Sequence, residues 1–330
     1  MEVPSVEDFA LISEPATDPK LAKRREKLAR NAIRKARATR VVRVLNLGAG
    51  VQSTALILMD ALVHRQGRRD EVEAWLERDY PYPPLDFAIF ADTQDEPERV
   101  YRHLPRLRDE DTAPILEGTR GRLGDDLIAG TNESGQFYSI PAFTADEPGV
   151  NLGLIRRQCT ETYKVQVVER IIRGTIFGVA PGRAMPDDSK VIQSFGLSFD
   201  EPGRIAKVRA RLAASPWAEA SFPLADLEME RSDCISFLRS IGWDAPRSAC
   251  VYCPFHDNAE WRDIRDNDPE GWARALEIDE AIRRPDSACT QGLDHKLYLH
   301  RSCVPLALAP IDEPDISLGF GAECEGMCGN

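Results

Sequence analysis

From Val41 to Leu47 the chain runs Val-Val-Arg-Val-Leu-Asn-Leu, a β-branched apolar stretch. It predicts a buried strand. Gly48-Ala49-Gly50-Val51-Gln52-Ser53-Thr54 follows, and apolar positions resume at Ala55-Leu56-Ile57-Leu58-Met59 and Leu62. That resumption predicts a helix. Strand, glycine turn and helix in this order open a doubly wound α/β sheet. A second strand is expected over Leu85–Ala91, ending in Asp92-Thr93, and a helix from Glu96 to Leu107. Glu96 and Pro97 suit a first turn. Residues 118–150 are glycine-rich and polar and predict a long surface excursion. Residues 161–177 predict a helix and 191–198 a strand. Beyond about 226 the pattern becomes a helix after Ser232, a cysteine loop over 248–257 and one helix from Ala259 to Ile282. An irregular tail follows, with Pro305, Pro310 and Pro314. Trp261, Trp272 and Leu276 are placed on one packed helix face. Residues 20–40 hold good helix formers and neither glycine nor proline, so they predict a helix.

Composition sharpens this picture. Of 330 residues, 42% are hydrophobic and 29% charged, which excludes a wholly disordered chain. No stretch approaches the roughly 20 apolar residues of a membrane helix, so no membrane partner is expected. Met1 to Lys20 is acidic and broken by proline, unlike a signal peptide. Eight cysteines without a secretory signal point to a reducing, cytoplasmic setting, where clustered cysteines mean metal or redox chemistry more often than disulfides. The net charge is −12, yet Lys20 to Arg43 holds eleven Lys or Arg and one acid, Glu26. That segment is either a solvated helix packed through Leu21, Leu28 and Ile33 or an arm that touches tRNA or DNA phosphates.

Two constellations carry candidate chemistry. In the turn after the first strand, Gly48 and Gly50 let backbone amides approach an anion. Ser53 and Thr54 add hydroxyls, and the helix N-terminus adds partial positive charge. This suits a phosphate or sulfate group. The lysine of a Walker A loop is missing, and so is the third glycine of a dinucleotide fingerprint. The second constellation is Cys250-Val251-Tyr252-Cys253-Pro254 with Cys159 upstream and Cys324 and Cys328 in the tail. Such thiols can bind zinc, hold cluster iron or form a redox pair. Zinc would take Cys250, Cys253, His256 and one distant cysteine. Cys234, Cys289 and Cys303 read as buried free thiols. Arg157 and Lys164 lie near Cys159 in sequence. Arg204 follows the 191–198 strand, and His300-Arg301 is a weaker candidate pair.

These residues carry a resemblance. Gly48-Ala49-Gly50-Val51-Gln52-Ser53 resembles the PP-loop of adenine-nucleotide alpha-hydrolase-like proteins, usually Ser-Gly-Gly-x-Asp-Ser. Gly48 replaces the first serine and Gln52 the aspartate. Glutamine there is similar to the phosphoadenylyl-sulfate (PAPS) reductase branch. Asp92-Thr93 resembles that family's Asp-Thr-Gly segment. Cys159 to Val165 is similar to the Cys-Cys-x-x-Arg-Lys-Val stretch of iron–sulfur reductases, with Thr160 at the second cysteine. Cys250 and Cys253 match the later pair, and Glu323-Cys324-Glu325-Gly326-Met327-Cys328-Gly329 loosely resembles the Glu-Cys-Gly tail.

The resemblance implies a PP-loop, Rossmann-like nucleotide domain over 41–225. It is preceded by an acidic leader and basic arm over 1–40 and followed by a cysteine-rich helical region over 226–330. It implies ATP or a sulfonucleotide bound by Gly48, Gly50, Gln52, Ser53, Thr54, Asp92, Thr93, Arg157 and Arg204. It implies a 4Fe–4S cluster on Cys159, Cys250 and Cys253, the fourth ligand being Cys324 or Cys328 or an open iron. Lys164 and a tail thiol, Cys324 or Cys328, would act in catalysis, with a thiol or electron-donor protein as partner. The reaction is then sulfonucleotide reduction or ATP-dependent sulfur transfer. Against these stands a zinc-stabilised protein serving nucleic-acid modification.

Overall fold

A computed structural model describes residues 19–130, 140–155, 159–284 and 295–314. Helix α1 (Pro19–Thr39) leads into strand β1 (Val41–Asn46), helix α2 (Val51–His64) and a short α3 (Arg69–Leu76). Next come β2 (Phe87–Asp92), α4 (Glu98–Asp109), β3 (Ile115–Thr119) and α5 (Leu123–Ala129). After the short strands β4 (Phe143–Ala145) and β5 (Gly153–Leu154) comes α6. Its α-helical segment Gln166–Arg170 lies between π-helical turns Glu161–Val165 and Ile171–Ile176. Then follow β6 (Lys190–Phe195), α7 (Pro202–Leu212), β7 (Ala218–Ser221), α8 (Pro223–Asp226), α9 (Arg231–Ser240), α10 (Asn258–Asn267), α11 (Pro269–Ala281) and β8 (Lys296–Tyr298).

The main sheet has five strands in the order β3-β2-β1-β6-β7, every pairing parallel. The chain builds outward from β1 to β3, then returns to the other side of β1 with β6. Strand order therefore reverses between β1 and β6, and the crevice beyond their carboxyl ends is where such sheets take ligands. Helices cover both faces, which explains strands that are apolar at nearly every position. Leu45, Leu47 and Phe90 pack with Leu56 of α2, Leu104 of α4 and Phe237 of α9. Val42, Val44 and Ile89 pack with Ile33 of α1 and Ile171 and Ile172 of α6. Gly118 of β3 lies so close under α6 that a Cβ there would come within 2.8 Å of Ile171 Cδ1.

A further layer stands beyond the carboxyl edge. It joins α5, α10 and α11 around Trp261, Tyr252, Leu123 and Ile278. Beside it lies a small antiparallel sheet, β5-β4-β8.

Three expectations change. The single helix over 259–282 is two helices, because Pro269 cannot continue the ladder of α10 and instead begins α11. The Asp268 carboxylate caps the new start by accepting the Gly271 N–H at 2.9 Å. Trp261 and Trp272 thus belong to different helices, though they still meet edge to face at 6.4 Å within one core. The 118–150 excursion contains the end of β3, α5 and β4. Among the described residues no helix is long and apolar enough to cross a membrane.

Candidate functional site

The turn after β1 stands at the reversal point. Gly50 starts α2 and offers its first-turn amides no capping side chain. Ala49 holds φ near +60°, a conformation that favours glycine and marks a locally strained turn. The first-turn amides and the helix dipole suit an anion. The side chains here are turned to other work. Ser53 Oγ donates to the Gly50 carbonyl at 3.4 Å. Thr54 Oγ1 is 2.9 Å from His103 Nε2 on α4, and burial pushes that imidazole down to about 4. Gln52 Nε2 donates to Ser198 Oγ at 3.0 Å and to Glu201 Oε2 at 2.7 Å. Glu201 also accepts from the Ser198 amide at 3.2 Å and from Arg204. Gln52 and Arg204 therefore meet through Glu201, across the β1–β6 crevice. Ser198 and Glu201 were not singled out in the sequence. Their signal was position alone, just after the β6 strand.

The neighbouring strand end builds the second half of the site. Asp92 Oδ1 accepts the Gln94 N–H at 2.7 Å and the Tyr101 hydroxyl at 2.9 Å, and burial raises the pKa of this carboxyl. It is a turn former, while the cap position of α4 is Pro97. Thr93 Oγ1 lies 3.2 Å from Cys250 Sγ and 3.5 Å from Glu96 Oε1. Lys164 Nζ donates to Glu96 Oε1 at 3.3 Å, and Ser248 Oγ donates to Oε2 at 3.2 Å. Cys159, Cys250, Cys253, Lys164 and Thr93 line one cavity, closed by apolar walls at Leu123, Ile140 and Pro254. A surface pair would be worth little. Here the Glu96 and Lys164 side chains are only 0% and 5% exposed, so each ion depends on its partner.

Asp95 pins the cysteine loop to this edge. Its carboxylate accepts from Arg122 Nε (2.8 Å), the Gly124 amide (2.8 Å), the Tyr252 hydroxyl (2.8 Å) and Arg274 Nε (3.2 Å). Its carbonyl accepts the Val251 N–H at 2.8 Å. Gly124 is required here, since a Cβ would stand 2.9 Å from Asp95 Oδ2. Asp95, Glu96 and Ser248 are further functional candidates missed in the sequence. Two of them sit in Asp-Glu-Pro, which looks like an ordinary solvated helix start.

The described cysteines, Cys159, Cys234, Cys250, Cys253 and Cys303, form no disulfide with one another. Cys234 and Cys303 are buried as expected, and burial raises the Cys303 thiol. His256 is a brace. One ring nitrogen lies 2.9 Å from the Cys250 carbonyl and the other 3.3 Å from Glu260. Burial would raise Glu260, but His256 and Arg247 outweigh it and hold the carboxyl down to about 2. His256 thus has a protein partner at each ring nitrogen. Among the described residues no three His, Cys, Asp or Glu side chains are grouped to hold a single metal ion. His300 and Arg301 both meet Asn258 Oδ1, at 3.0 and 2.9 Å, and belong to the packing of α10. Arg157, Cys289, Cys324 and Cys328 lie outside the described residues.

No protein-family model, no curated protein and no solved structure matches this chain. The class that fold and site define is therefore an α/β protein with a parallel sheet, an anion-suited turn and a buried cysteine cavity at adjoining strand ends.

Proposed function

We propose that this chain is a PP-loop-type, PAPS reductase-like enzyme of sulfur chemistry that binds an adenine nucleotide at Gly48–Thr54. One observation carries the reading. Cys159 and the Cys250/Cys253 pair, 91 positions apart in sequence, line a single cavity with Lys164 and Thr93 beside the turn. β1 and β2 are hydrogen-bonded neighbours, so the turn and the cavity share one edge of the sheet.

The first-turn amides of α2 receive the nucleotide phosphates, and Arg204, held by Glu201, stands across the crevice as their counter-charge. Lys164, held by Glu96, presents an ammonium to an anionic group entering the cavity, and the apolar walls exclude water. Cys159, Cys250 and Cys253 line this cavity together and, as the resemblance implies, would hold an iron–sulfur cluster there. Such a group supplies thiophilic, redox-active iron. The reaction is reduction of a sulfonucleotide, with a tail thiol at Cys324 or Cys328 as nucleophile and a thiol or electron-donor protein restoring it, or ATP-dependent sulfur transfer.

Anaerobic purification followed by iron, sulfide and zinc analysis tests the reading. About four iron and four sulfide per chain are expected, lost in Cys159→Ala and Cys250→Ala. Release of sulfite from a sulfonucleotide, or of AMP or ADP from ATP, then separates the two reactions. One zinc and no sulfide would overturn the proposal.

A further inference from the structure

Helix α1 carries charge that the site does not use. It buries Ala29, Ile33 and Ala36 against the sheet. On the flanks of that strip, Arg24 and Arg25 reach Asp111 and Asp109 at 3.2 Å, and Lys35 reaches Asp86 at 2.7 Å. Arg37 donates to the carbonyls of Ile176 and Thr175 at 2.9 and 3.0 Å. Asp86 lies just before β2, Asp109 and Asp111 before β3, and Thr175 and Ile176 at the end of α6. These anchors all fasten α1 to the amino edge of the sheet, opposite the candidate site.

A further set of cations on the helix forms a pattern of its own. Lys20, Lys23, Lys27, Arg30 and Arg34 are all exposed. Their spacing of three and four residues sets them in one row, and at about 100° per residue that row stands opposite the buried strip. It spans about 21 Å at about 1.5 Å per residue. The helix holds one acid, Glu26, which bridges to Arg30 at 3.3 Å.

We propose that this crown of α1 is a docking surface for the phosphodiester backbone of a nucleic acid. A straight row of cations roughly 5 Å apart complements a row of phosphates, and Lys and Arg are the residues that contact them. The acidic remainder of the chain repels a polyanion elsewhere and so confines it to this row. An anionic membrane would need apolar side chains on the same exposed face. Here the apolar face of α1 is already buried in the protein. The surface is separate from the sulfur-chemistry site, about 20 Å away along six-residue strands at about 3.3 Å per residue. The proposal stands whether or not that reading does.

Fluorescence anisotropy on the full chain tests it, with a labelled DNA duplex, an RNA hairpin and a single-stranded RNA as probes. Five phosphate contacts on a duplex predict a slope of about −4.5 in log K against log salt, or about 500-fold loss between about 50 and 200 mM. Replacing Lys20, Lys23, Lys27, Arg30 and Arg34 together by Gln should weaken binding at least tenfold and flatten the slope. It should leave thermal unfolding and iron content unchanged. The exposed pair Lys27→Glu and Arg30→Glu provides a second variant should the first fail to fold. The tighter of the DNA and RNA probes identifies the polymer. Absence of binding to all three at low salt would overturn the proposal. So would wild-type affinity in both variants, or capture by phosphatidylserine vesicles alone.

Discussion

Glu96 shows how a residue's surroundings decide its role. In sequence it is an acid at a helix start, but in the fold it is a buried carboxylate between Lys164 and Ser248. Glu96→Gln leaves a buried ammonium facing a neutral amide and should cost about 3 kcal/mol. Adding Lys164→Met to that variant removes the second charge and should recover most of the loss in urea unfolding. A double variant no more stable than Glu96→Gln alone would show that the pair is not what holds this edge. Acid sensitivity belongs to the same scale. Burial lowers both His103 and His300 to about 4, from an unfolded value of 6.5. The unfolded chain then binds the proton first, so stability present above about pH 6.5 is lost as pH falls toward 4, by about 3 kcal/mol per histidine. Asp60 works the other way. Burial raises it to about 6 from 3.8, so its contribution is present below the unfolded value and lost as pH rises through 6. Two histidines outweigh one aspartate, and the urea midpoint should drop between pH 6.5 and 4. Asp60→Asn should make that drop steeper.

At the scale of elements, legibility followed the strength of the local pattern. β1, α2 and β2 were readable because apolar residues dominate their runs and their ends are marked by Gly48 or Asp92. α1 was readable from propensity alone. β7 was not, since Ala218–Ser221 is short, half-exposed and lacks β-branched residues, and only its pairing with β6 makes it a strand. The C-x-x-C loop was readable as chemistry, whereas the groups that seat it were not. Asp95 and Tyr252 are 157 positions apart, and their hydrogen bond exists only after the sheet has formed. The break between α10 and α11 was written in Pro269 and passed over because helical periodicity continued on both sides. Asp268 makes that break stable, capping Gly271 and also accepting the Glu98 N–H at 2.9 Å. Asp268→Ala removes both bonds and should cost about 2 kcal/mol, the upper end for a helix cap. Thermal unfolding measures it, and a loss under about 0.5 kcal/mol, the low end for such caps, would show that Pro269 alone defines the start.

For the whole molecule, the question is whether the layer of α5, α10 and α11 folds with the sheet or merely leans on it. Among the described residues several hydrogen bonds cross between them, and Arg274 supplies a buried ionic one. Arg274 of α11 reaches Asp95 at 3.2 Å, Glu277 at 2.7 Å and Asp125. Its side chain is 10% exposed and that of Asp95 is fully buried, so the contact is shielded from solvent. A further crossing pair, Arg99 with Asp263, is a third exposed on each side and correspondingly weak. Arg274→Met keeps much of the stem and deletes the charge, leaving Asp95 with Arg122, Tyr252 and the Gly124 amide. If the layers are one cooperative unit because Arg274 binds them, hydrogen exchange in wild-type α10 and α11 should report the same opening free energy as α2. In Arg274→Met the amides of 258–281 should then exchange at least tenfold faster, while those of 51–64 keep their protection. The cysteine loop lies between the two layers, bonded to Asp95 through Val251 and Tyr252. Its exchange should follow the detached layer. Equal slowing or equal loss across both segments would mean that the apolar contacts of Leu123, Tyr163 and Trp261 hold the layers together without the ion network.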